Sequence, residues 1–272
     1  MKISFRTALI TGSSRGLGRA IAAKLAQEGV GKIAVHYHTR KDEAEKTMAL
    51  VRHAGSESIL VQGDTSDAKR AAEIVDEAAG KLGGCDIFIQ SVVPTLDRIF
   101  EFALATEVPL EKWQIAYDTQ ARAFFVGVSA AAKHMSRGGR IIALSYTPGG
   151  VTGGWQPWVG MGSAKAAVES MCRYFAVALA RHGVTVNAVS PGVSDETTLI
   201  GQTPREVQDA LKDWATSGWT PMRRSVAPAD VANVCALLCS DEASFVTGQA
   251  FAVDGGSSLM NPDFPLALQM PA

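Results

Sequence analysis

The sequence predicts a single α/β domain in which one doubly wound parallel sheet carries helices on both faces. Two observations predict it: short apolar runs alternate with amphipathic stretches, and a glycine-rich turn follows the first run. Strands buried on both faces read as continuous apolar runs, and the helices between them supply the crossovers that parallel strands need. Because such crossovers are right-handed, these elements favour a doubly wound sheet.

Seven apolar runs are candidate strands, and six stretches have helical periodicity. The predicted strands are residues 7–10, 33–37, 58–62, 87–90, 140–145, 185–190 and 250–253. The predicted helices are residues 19–28, 42–53, 69–82, 111–135, 164–181 and 228–238. No linker or repeat divides the chain, so residues 1–272 are predicted to form one domain. The irregular stretch 192–228 is predicted to be a substrate loop or lid; a short helical excursion without a role is the alternative.

Composition excludes several classes of protein. With 47% hydrophobic and 19% charged residues the chain is predicted to fold, and a formal charge of −1 offers no basic surface for nucleic acid or membrane. The N-terminus lacks the apolar core of a signal peptide, and no apolar run is long enough to span a bilayer. Four scattered cysteines fit a reducing compartment and no metal site. A cytoplasmic protein is expected.

The turn after the first strand reads TGSSRGLG over residues 11–18 and leads into a helix. Gly12 permits a tight turn, Gly16 lets backbone amides approach a pyrophosphate, and Gly18 allows close packing of helix on strand. The amides at the helix N-terminus attract an anion. The turn is therefore predicted to bind a dinucleotide, and its other contributing residues are Ser14, Arg15 and Leu17.

Basic residues follow the second strand, where an NAD site would place an acidic residue for the ribose. Arg15, His38, Arg40 and Lys41 are candidates to meet a 2′-phosphate, and arginine offers it two parallel hydrogen bonds. NADPH is the predicted cofactor. The alternative is that Arg40 and Lys41 only begin a solvated helix.

The spacing of these glycines resembles the short-chain dehydrogenase/reductase family, and further matches run from about residue 4 to residue 260. They are the segments 63–67 (GDTSD), 187–192 (NAVSPG), 248–249 (GQ) and 253–256 (VDGG). The resemblance implies a Rossmann-type fold that binds a nicotinamide cofactor. It further implies cofactor contacts at Asp64, Thr65, Gln90, Ser91, Val92, Lys165, Pro191, Gly192 and Val193.

The family's catalytic pattern is only partly present. Lys165 matches the family's lysine, but Met161 stands four residues before it, where the family has tyrosine. Tyr146 corresponds to the usual serine and Gln120 to the usual asparagine. Because a thioether cannot replace a phenol as proton donor, ordinary carbonyl reduction is not expected.

The enoyl-thioester reductase branch of the family resembles this chain at these departures. That branch carries Leu-Ser-Tyr on its fifth strand, as in residues 144–146, a stretch similar to residues 90–92, and a Met-Gly pair like Met161 and Gly162. Its main tyrosine stands seven residues before the lysine, where this chain has Trp158. Trp155, Trp158 and Met161 are predicted to wall the substrate pocket, and loop packing is the alternative for the two tryptophans.

These residues predict an enzyme that reduces the C=C bond of an enoyl-CoA or enoyl-carrier-protein with NADPH. Charge develops on the thioester oxygen, so the reaction needs a hydrogen-bond donor there. Tyr146 is the predicted donor, Trp158 offers an indole N–H, and Lys165 is predicted to hold the nicotinamide ribose. The alternatives are a 3-oxoacyl or other carbonyl reductase that uses Tyr146, and a catalytically inactive NADP-binding subunit or sensor.

A homo-oligomer, specifically a tetramer, is also expected. The stretches 111–135 and 164–181 carry apolar residues on more than one face, including Phe124, Phe125, Val128, Phe175 and Val177. Such helices need cover beyond their own sheet, which the family resemblance supplies as a subunit interface.

Overall fold

Seven parallel strands form one sheet in the computed structural model, which describes residues 1–135, 138–146, 154–194, 200–261 and 266–269. The order across the sheet is β3-β2-β1-β4-β5-β6-β7. The strands are β1 (Thr7–Thr11), β2 (Lys32–Tyr37), β3 (Glu57–Gln62), β4 (Ile87–Gln90), β5 (Gly139–Leu144), β6 (Val184–Pro191) and β7 (Ala250–Val253). The order reverses between β1 and β4, and the carboxyl ends there border the crevice where such sheets bind ligands. The predicted fold class is confirmed.

Helices cover both faces of this sheet. They are α1 (Gly16–Gln27), α2 (Lys41–His53), α3 (Ala68–Leu82), α4 (Leu96–Ile99), α5 (Leu110–Tyr117), α6 (Ala123–Ala131), α7 (Val159–Leu179), α8 (Arg205–Trp214), α9 (Pro228–Cys239) and α10 (Leu266–Gln269). α1, α2 and α9 pack on one face, and α3, α6 and α7 pack on the other. Each face has its own hydrophobic core, and neighbouring strand residues alternate between the two: Ile10 lies in the first core and Leu9 in the second.

The helix predicted over residues 111–135 is present, with helical backbone from Leu110 to His134, but it is not a regular α-helix throughout. A π-helical turn, Asp118–Arg122, separates α5 from α6. A π turn holds one residue more than an α turn and is frequent at functional sites. Here it buries Thr119 and Gln120 at the carboxyl end of β4. The Thr119 hydroxyl donates to the carbonyl oxygen of Ile115, whereas the Gln120 amide binds the Val92 carbonyl oxygen and the Lys165 ammonium outside the turn. Apolar periodicity does not reveal such a turn, because it changes the register by only one residue.

Apolar side chains on α6 and α7 divide between core and surface. Phe124 and Val128 are buried, whereas Phe125 is 54% exposed and Val177 is 81% exposed. Phe175 lies between these groups and contacts both phenylalanines. This exposed apolar surface suits a subunit contact, and the tetramer stays a prediction. Within the described ranges, no helix combines the length and apolar character that crossing a bilayer requires.

Candidate active site

In the glycine-rich turn after β1, neighbouring backbone packs so closely against Gly12 and Gly18 that neither position has space for a side chain. Gly12 has a φ of +67°, and a Cβ there would lie 2.8 Å from the Cα of Val92. A Cβ on Gly18 would lie 2.8 Å from the Cα of Ser13. Both glycines are thus required by contact of α1 and β4 with the turn. Ser14, Gly16 and Leu17 are half-buried around the start of α1, so the predicted phosphate cradle fits a dinucleotide.

A buried histidine on β2 supports this turn. The N–H of Gly12 donates to His36 Nδ1 at 3.0 Å, and His36 Nε2 lies 3.1 Å from the carbonyl oxygen of Gly63. Burial lowers the pKa of His36 to about 4, so the ring is neutral and carries its proton on Nε2. His36 therefore joins the phosphate turn to the residue before Asp64. Sequence reasoning missed it, although a histidine inside an apolar strand was a visible signal.

Two arginines stand together at the predicted 2′-phosphate position. Arg15 is half-buried, and Arg40 precedes α2 on the surface. Burial and the nearby charge of Arg40 lower the pKa of Arg15, which means that two like charges approach one another. Neither guanidinium has an ion pair with a residue in the described ranges. The charge of Glu43 also acts on Arg15, but the Glu43 carboxylate is ion-paired with Arg19 and Lys46. Binding of a 2′-phosphate by Arg15 and Arg40 stays a prediction.

The other polar residues predicted near the adenosine are already paired. Nε2 of His38 lies 3.9 Å from the carboxylate of Asp64, and Lys41 lies 3.7 Å from Glu45. Asp64 also accepts the N–H of Ser66 at 2.9 Å. Thr65 is buried beside them. The structure thus brings His38, Asp64 and Thr65 together at one end of the cleft, while their contacts with cofactor stay predictions.

Lys165 is buried on α7 below the cleft. Its Nζ donates to Gln120 Oε1 at 2.6 Å and to the carbonyl oxygen of Leu144. Burial lowers the pKa of Lys165 to about 7, against the opposing effect of the Glu169 charge. Gln120 in turn donates to the carbonyl oxygen of Val92 at 3.0 Å. Gln120, which was aligned with the family's asparagine but not predicted as a site residue, therefore fixes the ammonium group.

The residues that follow β4 complete this network. Gln90 donates through Nε2 to the carbonyl oxygen of Gln120 at 2.9 Å, and Ser91 donates its N–H to the carbonyl oxygen of Thr11. Gln90 Oε1 is buried and has no partner among the residues that the structure describes. The predicted segment Gln90, Ser91 and Val92 thus links the phosphate turn to the π-helical turn and to Lys165.

Four aromatic rings from three chain segments form a cluster at the start of α7, the helix that carries Lys165. Trp158 is central: its ring centroid lies 5.6 Å from that of Trp155, 6.1 Å from Tyr146 and 6.3 Å from Phe100. Met161 is buried in the same cluster. The three predicted pocket residues, Trp155, Trp158 and Met161, are therefore brought together with the predicted donor Tyr146. Residues 147–153 of this connection lie outside the described residues.

Two hydrogen-bond donors in this aromatic cluster are available for a ligand. Trp158 Nε1 is buried without a partner among the described residues. Tyr146 is half-buried, and its hydroxyl likewise makes no hydrogen bond to the described part of the chain. Burial raises the pKa of Tyr146, so the phenol keeps its proton at neutral pH. An unpartnered buried donor costs free energy unless a ligand satisfies it.

The predicted nicotinamide segment follows β6. Gly192 donates its N–H to the carbonyl oxygen of Val253 at 3.0 Å, and Val193 accepts the N–H of Val226 at 2.9 Å. A Cβ on Gly192 would lie 2.8 Å from that of Asp254. These contacts fix the backbone from Pro191 to Val193 at the mouth of the cleft, where its contact with nicotinamide stays a prediction.

The predicted lid contains α8 and, directly after it, the segment Ala215–Trp219, in which Gly218 kinks the backbone at a φ of 118°. Gln202 Oε1 accepts the N–H of Leu96 at 3.1 Å, which ties this stretch to α4. α8 has no fully buried residue, and Gln208 and Leu211 are half-buried. Residues 195–199 lie outside the described residues, and the lid role stays a prediction.

A model of the family described as enoyl-(acyl carrier protein) reductase matches residues 12–258. The chain belongs to this family of short-chain dehydrogenases/reductases. The reductase is 34% identical over 266 residues to a 1-cyclohexenylcarbonyl-CoA reductase from Streptomyces collinus, covering 95% of this chain and 89% of that protein. It is 33% identical over 255 residues to a 3-oxoacyl-[acyl-carrier-protein] reductase from Staphylococcus aureus, covering 92% of this chain and 97% of that one.

A solved structure agrees with the fold of the reductase. An angucycline C-6 ketoreductase with bound NADP superposes with a TM-score of 0.81 at 30% identity, covering 94% of this chain and 96% of that chain. The chain is therefore an oxidoreductase, and enzymes of this family use NAD(P)H. The cradle around Gly12 and the unpaired Arg15 and Arg40 fit such a cofactor.

Proposed function

We propose that this reductase uses NADPH to reduce the C=C bond of an α,β-unsaturated acyl thioester, carried on CoA or on a carrier protein. In this proposal the thioester group of the substrate contacts Tyr146 and Trp158 and lies above Lys165. The similarity to the Streptomyces collinus reductase supports an enoyl substrate.

One observation carries this proposal. A phenol, Tyr146, and an indole N–H, that of Trp158, lie in ring contact, and neither has a hydrogen-bond partner among the described residues. Trp158 immediately precedes α7, the helix that carries Lys165, and the position four residues before this lysine is Met161. Met161 packs into the aromatic cluster and offers no proton. Carbonyl reduction requires a group that delivers a proton to the new alkoxide, whereas conjugate reduction requires chiefly a donor to a transient enolate oxygen. The site suits the second requirement.

The residues of this chain have separate tasks in that reaction. NADPH, when bound, supplies the hydride that the β-carbon of the substrate receives, and the α-carbon of the resulting enolate takes its proton from water. Tyr146 donates its hydrogen bond to the thioester oxygen as negative charge develops there, and Trp158 is positioned for a second donation. The ammonium of Lys165 adds positive charge and holds the ribose hydroxyls. The aromatic rings around Trp158 exclude water, which strengthens these interactions.

A panel of thioesters tests this assignment. NADPH consumption is measured with crotonyl-CoA, a cyclic enoyl-CoA and acetoacetyl-CoA, and products are identified by mass. We expect kcat/KM for an enoyl thioester to exceed that for the 3-oxo thioester at least tenfold, which corresponds to about 1.4 kcal/mol in transition-state binding. Preferential formation of 3-hydroxybutyryl-CoA would reject the proposal.

The second candidate is reduction of 3-oxoacyl thioesters with Tyr146 as the proton donor. The similarity to the Staphylococcus aureus 3-oxoacyl reductase, at nearly the same identity, favours it. In this alternative the phenol of Tyr146, just after β5, takes the place of the family's tyrosine, whose position is occupied by Met161 in this chain. The same panel separates the two reactions, because saturated and hydroxylated products differ in mass.

The preference for NADPH is a separate prediction. We expect NADPH to bind at least tenfold tighter than NADH, because Arg15 and Arg40 form an unpaired cationic site. Arg40→Ala should reduce that ratio several-fold and leave NADH affinity unchanged, as measured by fluorescence titration. Arg181→Ala, which removes an exposed arginine beyond the far end of α7, is the control. Equal affinities of the unmodified enzyme for the two cofactors would refute this prediction.

A further inference from the structure

Glu169 lies one helical turn after Lys165 on α7, and its carboxylate reaches two strands of the sheet. Its Oε1 accepts hydrogen bonds from Ser145 Oγ at 2.5 Å and from Ser190 Oγ at 2.9 Å. Both serines are buried. Ser145 immediately precedes Tyr146, and Ser190 is the next-to-last residue of β6. One carboxylate oxygen therefore connects the ends of β5 and β6 to the helix that carries Lys165.

The charge of Glu169 also acts on Lys165. Burial favours the neutral amine, whereas the nearby carboxylate favours the ammonium and raises the pKa of Lys165. The other ionisable groups around the two residues, among those described, are Cys172 and Arg173 from α7, and Tyr146, which follows β5 and the carboxylate's partner Ser145. Tyr146 is a neutral phenol, and burial raises the pKa of the Cys172 thiol to about 12, so both are uncharged at neutral pH. Arg173 points to the surface and binds the backbone carbonyl of Glu169. Glu169 is thus the negative charge that Lys165 meets.

We propose that Glu169 is a positioning residue with two tasks: it fixes the ends of β5 and β6 through Ser145 and Ser190, and it keeps Lys165 charged in the cleft. Charge-assisted hydrogen bonds from two buried hydroxyls hold the carboxylate in one place. The turnover test below rests on the proposed function. The cofactor-affinity test does not, because NADPH binding is measurable whichever thioester the enzyme reduces.

Glu169→Gln isolates the charge, because the amide oxygen still accepts hydrogen bonds from the serines. NADPH affinity is measured against pH by fluorescence titration. In the unmodified enzyme it should fall as pH rises through the pKa of Lys165, since the ammonium exists below that pH. In Glu169→Gln the midpoint should lie about one pH unit lower. Glu77→Gln, which removes a part-buried carboxylate from α3, should leave the midpoint unchanged.

A double-mutant cycle ties this shift to Lys165. The Lys165→Met enzyme should show no such midpoint, and adding Glu169→Gln to it should leave the dependence of NADPH affinity on pH unchanged. A folded Glu169→Gln enzyme with an unshifted midpoint would overturn the electrostatic task. The double variant Ser145→Ala/Ser190→Ala keeps the carboxylate and removes its two hydrogen bonds, so it tests the other task even where Glu169→Gln does not fold.

For the serine variant we expect turnover to fall about tenfold while the pH midpoint stays near that of the unmodified enzyme. Unchanged turnover would overturn the positioning task. An unmodified enzyme that reduces no enoyl thioester would instead reject the proposed function, and turnover is then followed with whichever thioester the enzyme reduces. The shift in NADPH affinity would still decide the electrostatic task of Glu169.

Discussion

Tyr146→Phe is expected to reduce enoyl turnover about a hundred- to a thousand-fold, which is the usual effect of removing one oxyanion donor. The substitution keeps the ring that packs at 6.1 Å from Trp158 and removes only the hydroxyl. Burial raises the pKa of Tyr146, so the native phenol is a neutral donor throughout the working pH range. NADPH affinity should change little, because no cofactor contact is assigned to this hydroxyl. Single-turnover measurement of NADPH oxidation separates the rate of the chemical step from the affinity for NADPH.

Two companion variants sharpen this test. Tyr117→Phe removes a phenol that stacks on Trp113 at 5.0 Å, and it should keep full turnover. Met161→Tyr places a phenol four residues before Lys165. If the enzyme is a dormant carbonyl reductase, this variant should gain 3-oxoacyl reduction. If it is an enoyl reductase, the variant should gain no 3-oxoacyl reduction, whether or not its enoyl reduction is retained. Full enoyl turnover by Tyr146→Phe would remove Tyr146 from the mechanism and point to the indole N–H of Trp158.

Lys165→Met is expected to weaken NADPH binding about tenfold and to lower turnover at least a hundred-fold. The methionine retains most of the buried stem and removes the charge that Gln120 and the Leu144 carbonyl hold. Because burial lowers the pKa of Lys165 to about 7, the free enzyme carries the ammonium below that pH and loses it above. kcat/KM of the unmodified enzyme should therefore fall as pH rises through about 7.

The Lys165→Met enzyme should lack this pH step, which distinguishes loss of the charge from general damage to the site. Lys24→Met, which removes a part-buried lysine paired with Glu28 on α1, is the matched control and should retain both the affinity and the pH step. If the Lys165→Met enzyme kept the fall of kcat/KM with pH, that fall would belong to another ionisable group. The role given to the Lys165 ammonium would then be contradicted.

Local sequence was sufficient for the sheet and the phosphate cradle. The seven apolar runs correspond to the seven strands to within a few residues. A strand that is buried on both faces is a continuous apolar run, so it can be predicted from its own residues alone. Gly12 and Gly18 were predicted from the glycine motif. The close contacts of Gly18 lie within the same strand, turn and helix unit, whereas the contact of Gly12 with Val92 after β4 was visible only in the structure. Tyr146, Trp158 and Lys165 were predicted from the resemblance to the family's motifs, and their roles stay predictions.

Only the tertiary structure decided how these residues are supported. The π-helical turn depends on packing of Gln120 against β4 and Lys165, and the apolar period cannot encode that contact. His36 acts on Gly12, which is 24 residues away, and Glu169 acts on Ser145 and Ser190 at 24 and 21 residues. A histidine in a strand and a glutamate in a helix are common without any such contact, so the sequence does not reveal the roles of His36 and Glu169. Their roles arise because parallel strands bring their carboxyl ends to one edge, so residues remote in sequence share one low-dielectric site where each hydrogen bond and charge acts on its neighbours.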